Sequence, residues 1–383
     1  RTDLTSSLPS GDIPYAPKVA YYNGALYVFY LTQLKGSPAT KREIKYLYNN
    51  GTGWSGGTVV DVSGSGPGDE MDYDVSVTSN GIVVVWRDHN GNLHYVVGSA
   101  TTWGGGAVPV PVSASSPKEV RVSGHRDNPE FAVAFTALDS NSNNVRRVYA
   151  TTHTGANWDS DPAAPISSSG LDASNPSVAI DSYGNRYYAW CESTGSGVVL
   201  KMRFYDQYEK TWESTFDFAV SYPLVGRSSI ATYEWIDGWG SKRVVGTVIF
   251  ETDSLAGSDW DLRRKCVYYK DVGADFVHLS TFSGNVDTSD RGTTHPIIRH
   301  DTTSAVHHLT WLSNSPCGSG LSSRNEVFYR YGFSYDSYAA PLRVSGDHDV
   351  LEYHMAVGYG AGFEGVNIAY TYETADGRVA GHK

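Results

Sequence analysis

The sequence predicts an all-β protein folded as a seven-bladed β-propeller, and three observations carry that expectation. Short segments of alternating apolar residues recur along all 383 residues, with Gly, Asn, Asp and Ser between them. No segment of helical length repeats its apolar residues with a helical period. A strand–turn–strand unit returns at intervals of roughly fifty to sixty residues, near the length of a four-stranded propeller blade, which buries its faces only against neighbouring blades.

The unit reads "YAPKVAYYNGALYVFYL" from Tyr15, "DYDVSVTSNGIVVVWRD" from Asp72, "DNPEFAVAFTALD" from Asp127 and "SNPSVAIDSYGNRYYAWCE" from Ser174. It continues as "SSIATYEWIDGWGSKRVVGTVIFE" from Ser228, "THPIIRHDTTSAVHHLTWLS" from Thr294 and "YHMAVGYGAGFEGVNIAYTYE" from Tyr353. Third strands and tails follow, and Trp54, Trp103, Trp158 and Trp212 fall at equivalent places in four of them. Recurrence in blade after blade marks these tryptophans as packing residues. The last copy stops after its third strand, "GRVAGHK", while the opening "RTDLTSSLPSGDIPYAP" resembles the blade-ending segments. Strands from both termini are therefore expected to close the last blade, hiding the edges an open array would expose, and residues 1–383 form a single domain.

Composition bounds the partners. With 41 acidic against 30 basic residues the net charge is −11, which speaks against a nucleic-acid partner, since such affinity rests on Lys and Arg releasing counterions. No apolar run reaches the length of a membrane span. The opening residues lack an initiator Met and the apolar core of a signal peptide, as expected of a mature form. Many Tyr, Trp and Gly, few charges and the sequon Asn50-Gly51-Thr52 suggest secretion. Cys191, Cys266 and Cys317 allow at most one disulfide. A monomer is expected.

In a propeller the innermost strand starts at one mouth of the central channel and the second strand returns there, so residues before the first strand and after the second share a face. This gathers Asp72, Tyr73, Asp74, Arg87 and His89 from the second unit; His125, Arg126 and Asn128 from the third; and Asn175, Trp190 and Glu192 from the fourth. Arg227 and Glu251 come from the fifth unit, His295 and Trp311 from the sixth, and Glu352 and His354 from the seventh. Acids, bases and aromatics converging on one concave opening are the usual form of a binding or catalytic site.

The repeat "YAPKVAYYNGALYVFYL", with fragments such as "NNGTGW" and "HTGANW", resembles the sialidase-like (BNR-type) propeller repeats of secreted carbohydrate-active proteins, over essentially the whole chain. The resemblance implies a glycan or polysaccharide as partner. Within that group, enzymes acting on uronate polysaccharides place one histidine before the first strand and another about twenty residues later; His89 in "WRDHNGNLHY" matches the second place, while Asp69 and its neighbours stand at the first.

A lyase of this kind must neutralise the uronate carboxylate, remove the adjacent proton and protonate the leaving oxygen. Arg87 or Arg126 suits the first step, and His89, His125 or Tyr73 the other two, imidazole titrating near neutrality. The remaining mouth residues, Asp72, Asp74, Arg126, Asn128, Asn175, Trp190, Glu192, His295, Trp311 and His354, are the candidate substrate contacts. A glycoside hydrolase would need paired carboxylates, with Asp72, Asp74, Glu192, Glu251 and Glu352 as candidates. A non-catalytic lectin is the alternative. Multivalent propeller lectins repeat one pocket in nearly every blade, whereas Ala16, Asp74, Asn128, Asn175, His295 and His354 differ at slots read as comparable, which favours one composite site. No cofactor is indicated with certainty; no zinc set or EF-hand loop is present, and "DEMDYD" is a candidate oxygen set for one structural calcium against the plainer reading of solvated turn acids. His89→Ala is expected to abolish turnover while leaving thermal unfolding nearly unchanged, and retained turnover would strike that residue from the site.

Overall fold

The computed structural model describes residues 2–4, 7–8, 12–34, 42–60, 72–88, 90–99, 102–159, 164–218, 224–236, 242–253, 260–272, 275–287, 293–301, 306–313, 325–334, 337–345, 350–358, 365–374 and 377–382. The chain is an all-β propeller, and its described strands pair into seven antiparallel sheets of four or five strands. The inner strands, in chain order, are Asp12–Tyr22, Tyr73–Thr78, Ala114–Gly124, Ala173–Ile180, Leu224–Ile236, Thr293–Asp301 and Val350–Gly358. Each touches the inner strand of the next sheet, and the seventh touches the first. In the seventh sheet the outer strand is Thr2–Asp3, paired antiparallel with Gly377–His382 through Thr2↔His382 and Asp3↔Gly381.

The second strands explain why the sheets stack. Side chains alternate across a strand, so a run that is apolar at every position must be covered on both faces. In Gly81–Arg87, Ile82, Val84 and Trp86 pack against the first sheet with Tyr27, Phe29 and Tyr46. Val83 and Val85 point the other way, against Phe131, Val133 and Phe135 of the third sheet. The fourth sheet repeats the device: Tyr187, Ala189 and Cys191 join the fifth sheet's core, while Tyr188 and Trp190 join the third's. Each Val, Ile or Phe side chain among them, fully buried, contributes about 1.5–3 kcal/mol of transfer free energy.

The recurrent tryptophans do pack. Trp103 meets Phe29 edge-on at 6.1 Å and Tyr46 at 5.8 Å across the gap between sheets, and Trp158 stands edge-on to Tyr95 at 5.2 Å and Phe131 at 5.5 Å. The Asn23-Gly24 turn closing the first hairpin has both residues at positive φ, 47° and 80°. That matches the right-handed twist of its strands and suits Asn-Gly.

One register differs from the sequence expectation. "DNPEFAVAFTALD" reads as the inner strand of the third unit, but Phe131–Asp139 is the second strand there and Ala114–Gly124 the inner one. The inner strand looks polar because only one of its faces is covered: Val120 and Val122 are buried, whereas Arg121 and Ser123 line the channel. The Asn-Pro of residues 128–129 marks the turn between these strands, while the like dipeptide at Asn175-Pro176 lies at the start of an inner strand.

Candidate functional site

The inner strands enclose a central cavity of about 1180 Å³ with residues of all seven sheets in its wall. Near one mouth the strands share a local irregularity. The ladder between first and second strands slips at Tyr15/Lys18, Lys118/Arg121, Ser174/Ser177, Val225/Ser228, Thr294/Ile297 and Val350/Glu352. Within four of these bulges Ala16, Glu119, Asn175 and His295 take left-handed φ values of 44°, 53°, 52° and 56°. Non-glycine residues rarely adopt this region, and Asn does so most readily.

A bulge takes a backbone N–H out of the ladder, and a buried N–H needs another acceptor. Carboxylates supply it. Glu352 accepts from Ala16 N, Glu119 from Asn175 N at 3.2 Å, and Glu251 from both His295 N and, at 2.9 Å, Arg227 N. Asp72 accepts from Val120 N at 2.7 Å and from Arg121 Nη1 at 3.2 Å. The mouth acids therefore brace neighbouring sheets. Burial pushes the Glu251 carboxyl above its ordinary range, partly offset by the two N–H groups.

Deeper in the channel, Asp74 bonds Lys18 at 3.1 Å and accepts from Val122 N at 3.0 Å. Burial raises its pKa, but Lys18, Arg121 and the Val122 N–H outweigh that and hold it below the usual value. Tyr73 and Tyr353 are equivalent: each is buried and donates its hydroxyl to the carbonyl of a left-handed residue, Tyr73 to Ala16 O at 2.6 Å and Tyr353 to His295 O. Burial, with Glu352 and Asp74 nearby, pushes the Tyr73 phenol far up.

Among the channel histidines, His295 and His354 are held neutral. Burial, with Arg227 adjacent, lowers His295 to about 4, and its Nδ1 lies 3.1 Å from Thr294 Oγ1. Burial, then Lys18, Arg299 and Arg121, drives His354 well below its ordinary value.

The structure thus brings together Asp72, Tyr73, Asp74, Arg87, Asn175, His295 and His354 on the channel wall, with Arg87 Nη1 donating to Pro117 O at 3.2 Å. His89 lies outside the described residues. Other expected members sit elsewhere. His125, Arg126 and Asn128 belong to the turn after the third inner strand, at the opposite end of the channel; His125 Nε2 is 3.1 Å from Ser182 O, and Ser79 N donates to Asn128 O at 3.1 Å. Arg126 still borders the cavity there.

Trp190 and Trp311 are buried in the cores between sheets, because a second strand is covered on both faces by neighbouring sheets and presents neither face to the lumen. Glu192 is wholly buried, paired with Lys201 at 2.8 Å and accepting from Ser168 N and Trp190 Nε1. Sequence reasoning missed Lys18, Lys118, Glu119, Arg121 and Arg299, which also line the cavity. The signal that could have found them is polar alternation inside inner strands, as in "KEVRVS".

The wall carries Lys18, Arg87, Lys118, Arg121, Arg126, Arg227 and Arg299 against Asp72, Asp74, Glu119 and Glu352. In a chain of net charge −11, the described residues of the channel wall carry a surplus of cations. No family model matches the sequence, and no curated protein does. Solved structures similar to this chain include sialidases, arabinanases, a polysaccharide lyase and a lectin, all carbohydrate-active propellers. A Trypanosoma rangeli sialidase in complex with sialic acid is 12% identical over 96% of this chain and 53% of that chain, with a TM-score of 0.46. The chain thus spans about half the length of that sialidase. An ulvan lyase of a new polysaccharide lyase family is 12% identical over 78% of this chain and 75% of its own, TM-score 0.44. The six-bladed fucose-recognising lectin of Aleuria aurantia is 11% identical over 81% and 93%, TM-score 0.38.

Proposed function

We propose that the protein is a secreted carbohydrate-active protein that draws an acidic glycan or polysaccharide into the channel mouth and cleaves it by β-elimination. In this reading the seven sheets act as seven blades closed by strands from both chain ends. The observation that carries it is the cationic surplus among the described wall residues of an acidic protein, since fixed positive charge in a cleft concentrates anionic ligands.

In the proposed reaction, Arg and Lys neutralise the uronate carboxylate, which acidifies the neighbouring C5–H. His295 takes that proton, the electron pair forms the C4–C5 double bond, and the C4–O bond breaks onto a leaving oxygen protonated by His89. Burial is the main cause of the low His295 pKa and Arg227 the lesser one; a substrate carboxylate beside the ring offsets Arg227 and stabilises the imidazolium, which raises the pKa in the direction proton transfer needs. Hydrolysis by paired carboxylates is less well supported, because Asp72, Asp74, Glu119 and Glu352 are already committed to backbone N–H groups.

The test is a panel of acidic and neutral polysaccharides, following reducing ends together with the ultraviolet absorbance of unsaturated uronates. New ends bearing the unsaturated sugar support the lyase. New ends without it favour the hydrolase, and retention without product favours the lectin. Arg227→Ala should weaken acidic-substrate binding by about tenfold, the worth of one charge-assisted contact, with at most a small shift in thermal unfolding, because its backbone N–H makes the hydrogen bond to Glu251 and its exposed side chain adds the smallest of the charge effects on that carboxyl. An equal loss with neutral glycans would contradict the charge argument.

A further inference from the structure

His354 is 4% exposed on the seventh inner strand, and its Nδ1 lies 3.0 Å from Val19 N. The same task falls to Asp74 at Val122 N, 3.0 Å, and to Ser229 Oγ at Ile298 N, 3.2 Å. Each of these N–H groups lies three residues beyond the left-handed residue of the next sheet, Ala16, Glu119 or His295. The position therefore calls for an acceptor, and Nδ1 must offer its lone pair. A neutral imidazole has one lone pair, so Nε2 carries the hydrogen.

Nε2 stands 3.2 Å from Arg299 Nη2, and a guanidinium is a donor only. Two N–H groups thus converge with no acceptor between them among the described residues. Protonating His354 gives no relief, because it removes the lone pair and adds charge beside Lys18, Arg121 and Arg299. Asp74, the carboxylate close to this group, is engaged by Lys18 and Val122 N.

We infer that the channel holds a site for one anionic oxygen, of a carboxylate or sulfate group, between His354 Nε2 and Arg299 Nη2, with His354 acting as hydrogen-bond donor and not as base. Lys18 and Arg121 supply the surrounding positive charge. This deepens the acidic-glycan reading and rests on it only for the source of the oxyanion, a uronate or a sulfate ester.

The test titrates the full chain with sodium sulfate, methyl glucuronide and a sulfated monosaccharide, each against sodium chloride of equal ionic strength. Histidine side-chain nitrogen NMR and the thermal midpoint are followed. The expected result is an Nε2-protonated His354 whose Nε2 resonance moves on saturation, with a raised midpoint. Arg299→Met should weaken the anion by about 10- to 100-fold, and His354→Gln, which keeps one acceptor and one donor, should retain most of the affinity. The tighter of the two sugars identifies the source. A proton on Nδ1, no response to any of the three anions, or unchanged affinity in Arg299→Met would overturn the site. Sulfate binding without activity on any polysaccharide would instead leave the site standing and sink the lyase.

Discussion

Asp74→Ala is expected to destabilise the fold by roughly 3–5 kcal/mol, because removing one partner of a buried ion pair strands the other charge. Asp74 and Lys18 side chains are 9% and 19% exposed and 3.1 Å apart, and the same carboxylate accepts the Val122 N–H. The loss strands Lys18 and a backbone donor together. Asp74→Asn keeps an oxygen for Val122 and should cost less. Since the folded carboxyl titrates below its usual value, this stabilisation is complete above the unfolded pKa and fades as pH falls through the folded one. Urea unfolding at neutral and acid pH checks both points, and a cost under about 1 kcal/mol for the alanine variant would mean the pair matters little.

His295→Asn should leave stability nearly unchanged at neutral pH and make the protein progressively more stable than its parent as pH drops from 6.5 toward 4. Asn already fills the equivalent left-handed position at Asn175, so the backbone accepts it. The folded imidazole resists protonation down to about 4 while the unfolded one takes a proton near 6.5. Unfolding thus takes up a proton in that window, and acid favours the unfolded parent. The gap approaches about 3 kcal/mol at the acid end. Asp181, raised to about 7 by burial and Glu234, acts oppositely, its folded form gaining relative stability as pH falls, so the difference between variant and parent isolates His295. Parallel stability–pH curves would remove the neutral-imidazole assignment. The same variant should lose turnover, since Asn cannot accept the substrate proton.

Much of the architecture was legible because it is periodic. Alternating apolar residues, Asn-Gly turns and repeated tryptophans are local signals, and each second strand, buried on both faces, must read as a continuous apolar run. The site was legible where a signal fell on an inner strand, as at Asp72–Asp74, Asn175 and His295, and at Arg87, which ends a second strand. At residues 125–128 the same Asn-Pro signal marked a turn at the other end of the channel. Trp190, Glu192 and Trp311 lie on second strands, which neighbouring sheets cover on both faces, so their burial follows from which strand of the sheet they occupy and not from which way they alternate.

By itself the sequence determined an all-β chain of repeated sheets, its packing residues and an overall negative charge, because these follow from composition and short-range periodicity. Only the tertiary structure decided that Lys18, Arg121 and Arg299 face one lumen, that the mouth acids brace neighbouring sheets, and that the His354 ring stands between Val19 N and Arg299. Those facts depend on strands from different sheets lying side by side, and the contacts join residues as far apart in sequence as Val19 and His354.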